Sequence, residues 1–286
     1  MDKFLSSNGI QVCYQDLPAK NEPNNQKPEP YNTILLIAGL GEQLGEWPLG
    51  FCELLCNKGF RVIRFDNRDV GRSTKADDNY GLDDMANDAV GILDALDVRA
   101  AHIIGMSMGG MIAQLLCANH SNRALSLCSI MSSSGNPNLP VASPEVQANL
   151  HKKTEGNIDL FIDNWVAGKL LIDSPTYPAK ENELYARAVA NCKRSYFPKG
   201  YMRHLNAIYS YGSRVKKLQQ ISCPTLVLHG KNDPLIPYQA GVDTAKHIND
   251  AQLKLIEGMG HNLPKPLFDE LTSAIIKNIK RSISIA

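Results

Sequence analysis

The chain has 286 residues, 43% of them hydrophobic and 21% charged, an ordinary globular composition that can bury a sizeable core without staples. Thirty Lys and Arg against 29 Asp and Glu leave a formal net charge of +1, which speaks against nucleic acid or another polyanion as partner. No stretch of about 18 apolar residues offers a membrane span, and the odd, scattered set of Cys13, Cys52, Cys56, Cys117, Cys128, Cys192 and Cys223 suits a reducing compartment better than a disulfide framework.

The start has no apolar run of signal-peptide length, so a cytoplasmic protein is expected; its oligomeric state is left open. Residues 4–17 read as a β-hairpin around Asn8-Gly9, and residues 18–32, with four prolines, as a surface loop. Thr33-Ile34-Leu35-Leu36-Ile37-Ala38 is a continuous apolar run, the mark of a strand covered on both faces. A short helix is predicted over 48–58, a strand over 60–65 and a helix over 82–96, whose stripe is Met85, Ala89, Ile92, Leu93 and Leu96. A strand at 101–104 leads to a helix at 111–118, and a further strand spans 125–131.

The alternation then stops. Residues 132–222 hold helical patterns at 158–171, 181–196 and 201–209 and no convincing strand. The sheet resumes with a strand at 225–229, a helix near 238–248, a strand at 252–256 and a helix from about 267 to 279. Strands separated by helices imply a mostly parallel sheet with helices on both faces. The expected organisation is therefore an α/β core made of 1–131 and 223–286, with 132–222 inserted as a helical cap.

The sharpest chemical signal is Gly105-Met106-Ser107-Met108-Gly109-Gly110, set between the strand at 101–104 and the helix after it. A serine flanked by glycines is what a strained strand-to-helix turn needs to expose a hydroxyl at the carboxyl edge of a sheet. A hydroxyl is a weak nucleophile and requires a base, itself oriented by an acid. His261, in Gly258-Met259-Gly260-His261, follows the last predicted strand and so lies at the same edge. Asp233 follows the strand at 225–229. Ser107, Asp233 and His261 thus all fall in loops just after strands, where parallel sheets place their sites. His102 and His229 lie in or at the end of strands and read as core; His151, His204 and His247, on predicted helices, read as surface, as does His120.

The tetrahedral oxyanion formed when such a hydroxyl attacks must be held by pre-aimed donors, commonly backbone amides. The Met108 amide, next after Ser107, is one expected donor; the Leu40 amide, in the Gly39-Leu40-Gly41 loop after the first parallel strand, is the other. Gly39, Leu40 and Met108 are accordingly expected to touch substrate.

In these features the chain resembles serine esterases of the α/β-hydrolase fold, and among them the aclacinomycin methylesterase-like group. The motifs are Gly45-Glu46-Trp47-Pro48, Phe65-Asp66-Asn67-Arg68-Asp69-Val70-Gly71-Arg72-Ser73, the Ser107 turn and Gly258-Met259-Gly260-His261, over about 33–131 and 222–286. The resemblance implies a Ser107–His261–Asp233 triad cleaving a carboxylic ester, methyl esters and lactones included, with no cofactor and no metal. Carbon–carbon bond hydrolases and cofactor-free perhydrolases share that triad and stay open as alternatives. One departure is that many relatives carry His before the glycine of the oxyanion loop, where this chain has Ala38.

A rival reading is a nucleotide-binding oxidoreductase, with Gly39, Gly41 and Gly45 as a dinucleotide loop and Asp66 as the ribose ligand. Its glycine spacing is off by one, Trp47-Pro48 delays the helix, and it leaves Ser107, Asp233 and His261 unexplained. The segment 66–73 reads as a structural loop in which Arg68 bonds local carbonyls or carboxylates.

Overall fold

Asn8 and Gly9 both have positive φ, 47° and 80°, so the turn joining β1 (Lys3–Ser7) to β2 (Ile10–Leu17) twists with its strands as the Asn-Gly pair predicts. The computed structural model describes residues 1–20, 32–152 and 156–283; most of the loop expected at 18–32 lies outside them. From Thr33 onward the chain alternates strand and helix: β3 (Thr33–Ile37), α1 (Leu49–Asn57), β4 (Arg61–Phe65), α2 (Leu82–Ala95), β5 (Ala101–Met106), α3 (Met108–Asn119) and β6 (Ala124–Ile130). Among the described residues five helices follow before the next strand: α4 (Pro144–Leu150), α5 (Ile158–Leu171), α6 (Glu181–Arg194), α7 (Pro198–Tyr211) and α8 (Val215–Leu218). Then come β7 (Thr225–Gly230), α9 (Gln239–His247), β8 (Gln252–Ile256) and α10 (Phe268–Ile283).

The eight strands form one sheet in the order β1-β2-β4-β3-β5-β6-β7-β8. Only the β1–β2 and β2–β4 pairings are antiparallel; the rest are parallel. Successive side chains of a strand point to opposite faces, and β3 is buried at every position, apolar from Ile34 to Ile37, because both faces are covered. Ile34 and Leu36 pack with Phe51 and Leu55 of α1 and Leu271 and Ile275 of α10. Leu35 and Ile37 pack on the other side with Met85 and Ile92 of α2 and Leu116 of α3. No helix of the described residues is long and apolar enough to cross a membrane.

Some boundaries differ from the sequence reading. Helix α3 begins at Met108 rather than at 111, so Gly109 and Gly110 belong to its first turn. They are glycines because the turn presses on the sheet: a Cβ on Gly109 would lie 2.2 Å from the Ile37 carbonyl oxygen. Helix α7 starts three residues earlier than expected, with Pro198 in its first turn. The short α4 and α8 were not expected. Helix α4 buries only Val146, so it has almost no apolar stripe to read, and it is set by Ser143, whose side chain caps the Val146 amide.

Candidate active site

Ser107 sits between β5 and α3 with φ 54° and ψ −123°, left-handed backbone that a residue with a side chain adopts only under constraint. The constraint is visible. Its amide donates to the Ile130 carbonyl (2.9 Å), and Ser132 Oγ donates to its carbonyl (2.8 Å). A Cβ on Gly105 would fall 2.0 Å from the Gly109 carbonyl oxygen, so that crossing admits no larger residue.

The three residues singled out in the sequence meet here. Ser107 Oγ–H faces His261 Nε2 at 3.0 Å, and His261 Nδ1–H faces Asp233 Oδ2 at 2.7 Å. A carboxylate can only accept, so its position assigns the proton to Nδ1 and leaves Nε2 as an acceptor for the hydroxyl. Asp233 Oδ1 accepts the amides of Leu235 (2.9 Å) and Ile236 (2.8 Å). Burial pushes the Asp233 carboxyl up, but the His261 charge and hydrogen bonds from His229 and His261 outweigh it and hold the group down to about 2.

The loop carrying His261 is clipped to the segment between α5 and α6, which sequence reading did not link to the site. The His261 amide donates to the Ile172 carbonyl (2.8 Å), and the Gly260 amide to Ser174 Oγ (2.8 Å). Asn262 donates to Asp173 and accepts from Ser174. A Cβ on Gly260 would meet the Asp173 carbonyl oxygen at 2.3 Å. The Gly-x-Gly-His pattern hinted at close packing without naming the partner.

Around Leu40 the backbone makes a tight turn. The Glu42 amide donates to the Gly39 carbonyl (3.2 Å), and Gly41 has φ +69°, as a type II turn requires of its third residue. The turn abuts the serine: a Cβ on Gly39 would lie 3.4 Å from Ser107 Cβ and 3.9 Å from its Oγ. Met108, first residue of α3, has an amide without an intrahelical acceptor, as at any helix start.

Above these residues lies a cavity of about 230 Å³. Gly39, Leu40, Ser107 and His261 line it from the sheet side; Phe161, Trp165 and Tyr201 line it from the helical insertion. One wall is charged: Lys169 bonds Glu42 (2.7 Å) and Glu46 (2.9 Å), with Trp165 under both Lys169 and Arg187. Burial, with Glu46 beside it, pushes the Glu42 carboxyl up to about 7. Burial also acts on Glu46, but Lys169 and Arg187 hold that carboxyl down to about 2.

Two sequence readings need correction. Asp66 is fully buried and its oxygens are committed: Oδ1 accepts the Leu44 amide (2.7 Å) and Oδ2 the Arg72 amide (2.9 Å), with Arg194 at 2.7 Å. It cannot serve as a ribose ligand, and Gly45 lies in a 3-10 turn, not at the start of α1; the dinucleotide reading of Gly39, Gly41, Gly45 and Asp66 falls. His204 is not a surface residue but fully buried, bonded to Gly41 and Arg68. Helical periodicity shows which residues share a face, not which face a neighbouring loop covers. Arg68 behaves as read, pairing through two 2.6 Å bonds with Asp88.

Residues 32–265 match the sequence family described as alpha/beta hydrolase fold. The chain is 31% identical to a rhodomycin D methylesterase of Streptomyces peucetius, over 85% of this chain and 89% of that protein. A bifunctional esterase/perhydrolase of Acinetobacter calcoaceticus is 24% identical, over 92% of this chain and 94% of its own. The structure superposes on an enol-lactonase from Burkholderia xenovorans LB400 with a TM-score of 0.79, covering 97% of this chain and 100% of that one, at 22% identity. That last likeness concerns the fold alone.

Proposed function

We propose, from the premise that this chain belongs to the α/β-hydrolase fold family, that it is a serine hydrolase cleaving a carboxylic ester, with Ser107, His261 and Asp233 as its triad. The observation that carries the reading is the unbroken relay from Ser107 through His261 to Asp233, at 3.0 and 2.7 Å. His261 Nε2 takes the hydroxyl proton as Ser107 Oγ adds to the ester carbonyl, and Asp233 holds the imidazolium and its tautomer. The Leu40 and Met108 amides receive the oxyanion. His261 then returns the proton to the departing alkoxide, leaving an acyl group on Ser107. A water deprotonated by His261 adds to that acyl group, and its collapse releases the acid and restores the hydroxyl.

Residues 132–222 act in this scheme as a cap over a core of 1–131 and 223–286. The cap covers the cavity and selects the acid, while the sheet edge supplies the chemistry. The methylesterase similarity supports a small alcohol as leaving group and an apolar acid seated among Phe161, Trp165 and Tyr201.

The test is a panel of methyl, longer alkyl and aryl esters, lactones and vinylogous diketones, run beside Ser107→Ala. Hydrolysis of esters that falls on the order of 10⁴–10⁶ in kcat in Ser107→Ala supports the reading. So does covalent labelling of Ser107 by an organophosphonate. Label on another residue, or full activity in Ser107→Ala, overturns it.

A further inference from the structure

The turn that would present the Leu40 amide is held from outside the sheet. Ala38, just before it, has no side chain able to support it. Instead α7 of the helical insertion grips Gly41 twice. The Gly41 amide donates to His204 Nδ1 (3.2 Å), and a Cβ on Gly41 would lie 2.6 Å from Cδ2 of Tyr201, one turn earlier on α7.

The His204 tautomer follows from its partners. Nε2 lies 2.8 Å from the Arg68 carbonyl oxygen, which can only accept, so Nε2 carries the proton and Nδ1 is free to accept from Gly41. The ring is fully buried, and burial pushes its pKa down to about 4, which keeps the imidazole neutral and the acceptor available. The Arg68 end is anchored in turn by the two bonds to Asp88 and by the Arg68 guanidinium over Tyr80 (4.9 Å), whose ring meets His204 edge-on.

The central peptide of a β-turn, here Leu40–Gly41, has two common orientations, and types I and II differ by its flip. An acceptor fixed on one side of the Gly41 N–H selects one of them. The Glu42 amide holds the Gly39 carbonyl (3.2 Å), and in a trans peptide the Leu40 N–H points opposite to that carbonyl. Both peptides flanking Leu40 are thereby fixed.

We propose that His204 is a positioning residue for the oxyanion site: by accepting the Gly41 amide it holds the central peptide of the turn in one orientation and so steadies the Glu42–Gly39 bond, which in turn aims the Leu40 amide at the reacting carbonyl. This rests on the ester-hydrolase reading above and adds that the helical insertion completes the catalytic geometry. A pre-aimed donor is worth more than a mobile one because its orientation is settled before charge develops.

The test compares His204→Asn with His204→Gln. Asparagine puts an oxygen where Nδ1 stands and keeps an acceptor for Gly41. Glutamine reaches the Nε2 position and serves Arg68 but not Gly41. Each keeps one of the two bonds, so their melting temperatures should be similar. On p-nitrophenyl butyrate, with sites counted by phosphonate titration, His204→Asn should stay within about threefold of wild type in kcat. His204→Gln should fall about 10- to 100-fold with KM changed less, a loss smaller than that for deleting an oxyanion donor outright. The Ki of a trifluoromethyl ketone, which forms an oxyanion on Ser107, should weaken by a similar factor in His204→Gln only. Equal kcat and Ki in the two variants overturn this proposal while leaving the triad standing. Hydrolysis that survives Ser107→Ala overturns the underlying reading, and this one with it.

Discussion

His229 Nε2 lies 3.4 Å from Asp233 Oδ2, the same carboxylate oxygen that takes the Nδ1–H of His261. Its shorter contact is to the Ile236 carbonyl at 2.8 Å, which places the His229 proton on Nε2. Asp233 thus sits among the Leu235 and Ile236 amides and two imidazoles, and this basket is why a carboxylate 6% exposed stays ionised. The chain leaves no slack behind it, since a Cβ on Gly241 would come within 2.6 Å of His229 Nδ1.

Asp233→Asn should therefore change two things. The amide can present its NH2 to His261, favouring the wrong tautomer, and kcat should drop about 10³–10⁴-fold with the fold intact. Stability should lose a pH dependence as well. The native carboxyl is held to about 2 and an unfolded Asp titrates near about 3.9. The folded state thus prefers the ionised form, and that stabilisation is complete above about pH 4 and is lost as pH falls through about 2. Denaturant titrations of both proteins from pH 5 to 2 should show the wild type's advantage shrinking toward acid. A difference constant with pH would mean that Asp233 is not held low.

At the Gly39–Glu42 turn the proposed oxyanion donor is an amide, so side-chain and backbone changes should separate. Leu40→Ala keeps the N–H and should be mild. Leu40→Pro removes it while leaving the neighbouring Glu42–Gly39 bond possible, and should cost about 10²–10³ in kcat with KM changed less. Circular dichroism checks that the proline variant folds. Equal losses in the two variants would assign the effect to the leucine side chain.

Much of this site was legible because its constraints are local. Gly105 and Gly109 are required by contacts at 2.0 and 2.2 Å within a strand–turn–helix unit that shows in the sequence. Ser107, Asp233 and His261 each follow a strand, so parallel topology alone brings them to one edge. What escaped reading depends on contacts between distant segments. Asp66 looked like a free acid after a strand until Arg194 of α6 closed on it. His204 looked like an exposed helical residue until α7 settled on the Gly39–Glu42 turn, and Ser174 and Asn262 meet 88 positions apart. Nothing in a hydrophobic period encodes which loop a polar helix face will cover.

The two carboxylates that share Lys169 should behave differently when neutralised. Glu42 is pushed up to about 7 and Glu46 held down to about 2. A raised carboxyl keeps its proton in the folded state after the unfolded chain has lost it, so stability from Glu42 declines as pH rises from about 4.5 to 7. Glu42→Gln should remove that decline and melt progressively higher than wild type as pH rises through this range. Glu46→Gln takes the ionised carboxylate from Arg187 and leaves Lys169 with Glu42 alone, and should melt lower above pH 4.5. Thermal melts at pH 5, 6, 7 and 8 decide it; the same sign for both variants would contradict the assignment.

The last prediction concerns substrate choice and separates the aromatics of the helices between β6 and β7 by what else they touch. Trp165, Phe197 and Tyr201 reach the cavity, whereas Tyr185 and Tyr209 are 36% and 57% exposed and bond Asp163 and His151 instead. Tyr201 also covers Gly41, and Trp165 carries Lys169 and Arg187, so truncating either disturbs more than the wall. Phe161 is the cleaner probe: it lines the cavity and its other ring contact is edge-to-face with Tyr196, at 5.2 Å. Phe161→Ala opens space for several carbons, and apolar pockets discriminate by about 1–3 kcal/mol per methylene. The kcat/KM optimum across a series of methyl esters should move to longer or bulkier acids, while a small phosphonate labels Ser107 at the wild-type rate. Tyr185→Ala should leave the series unchanged. Slower labelling in a folded Phe161→Ala, with the optimum unmoved, would place Phe161 in support of the triad and refute its role as a wall of the pocket.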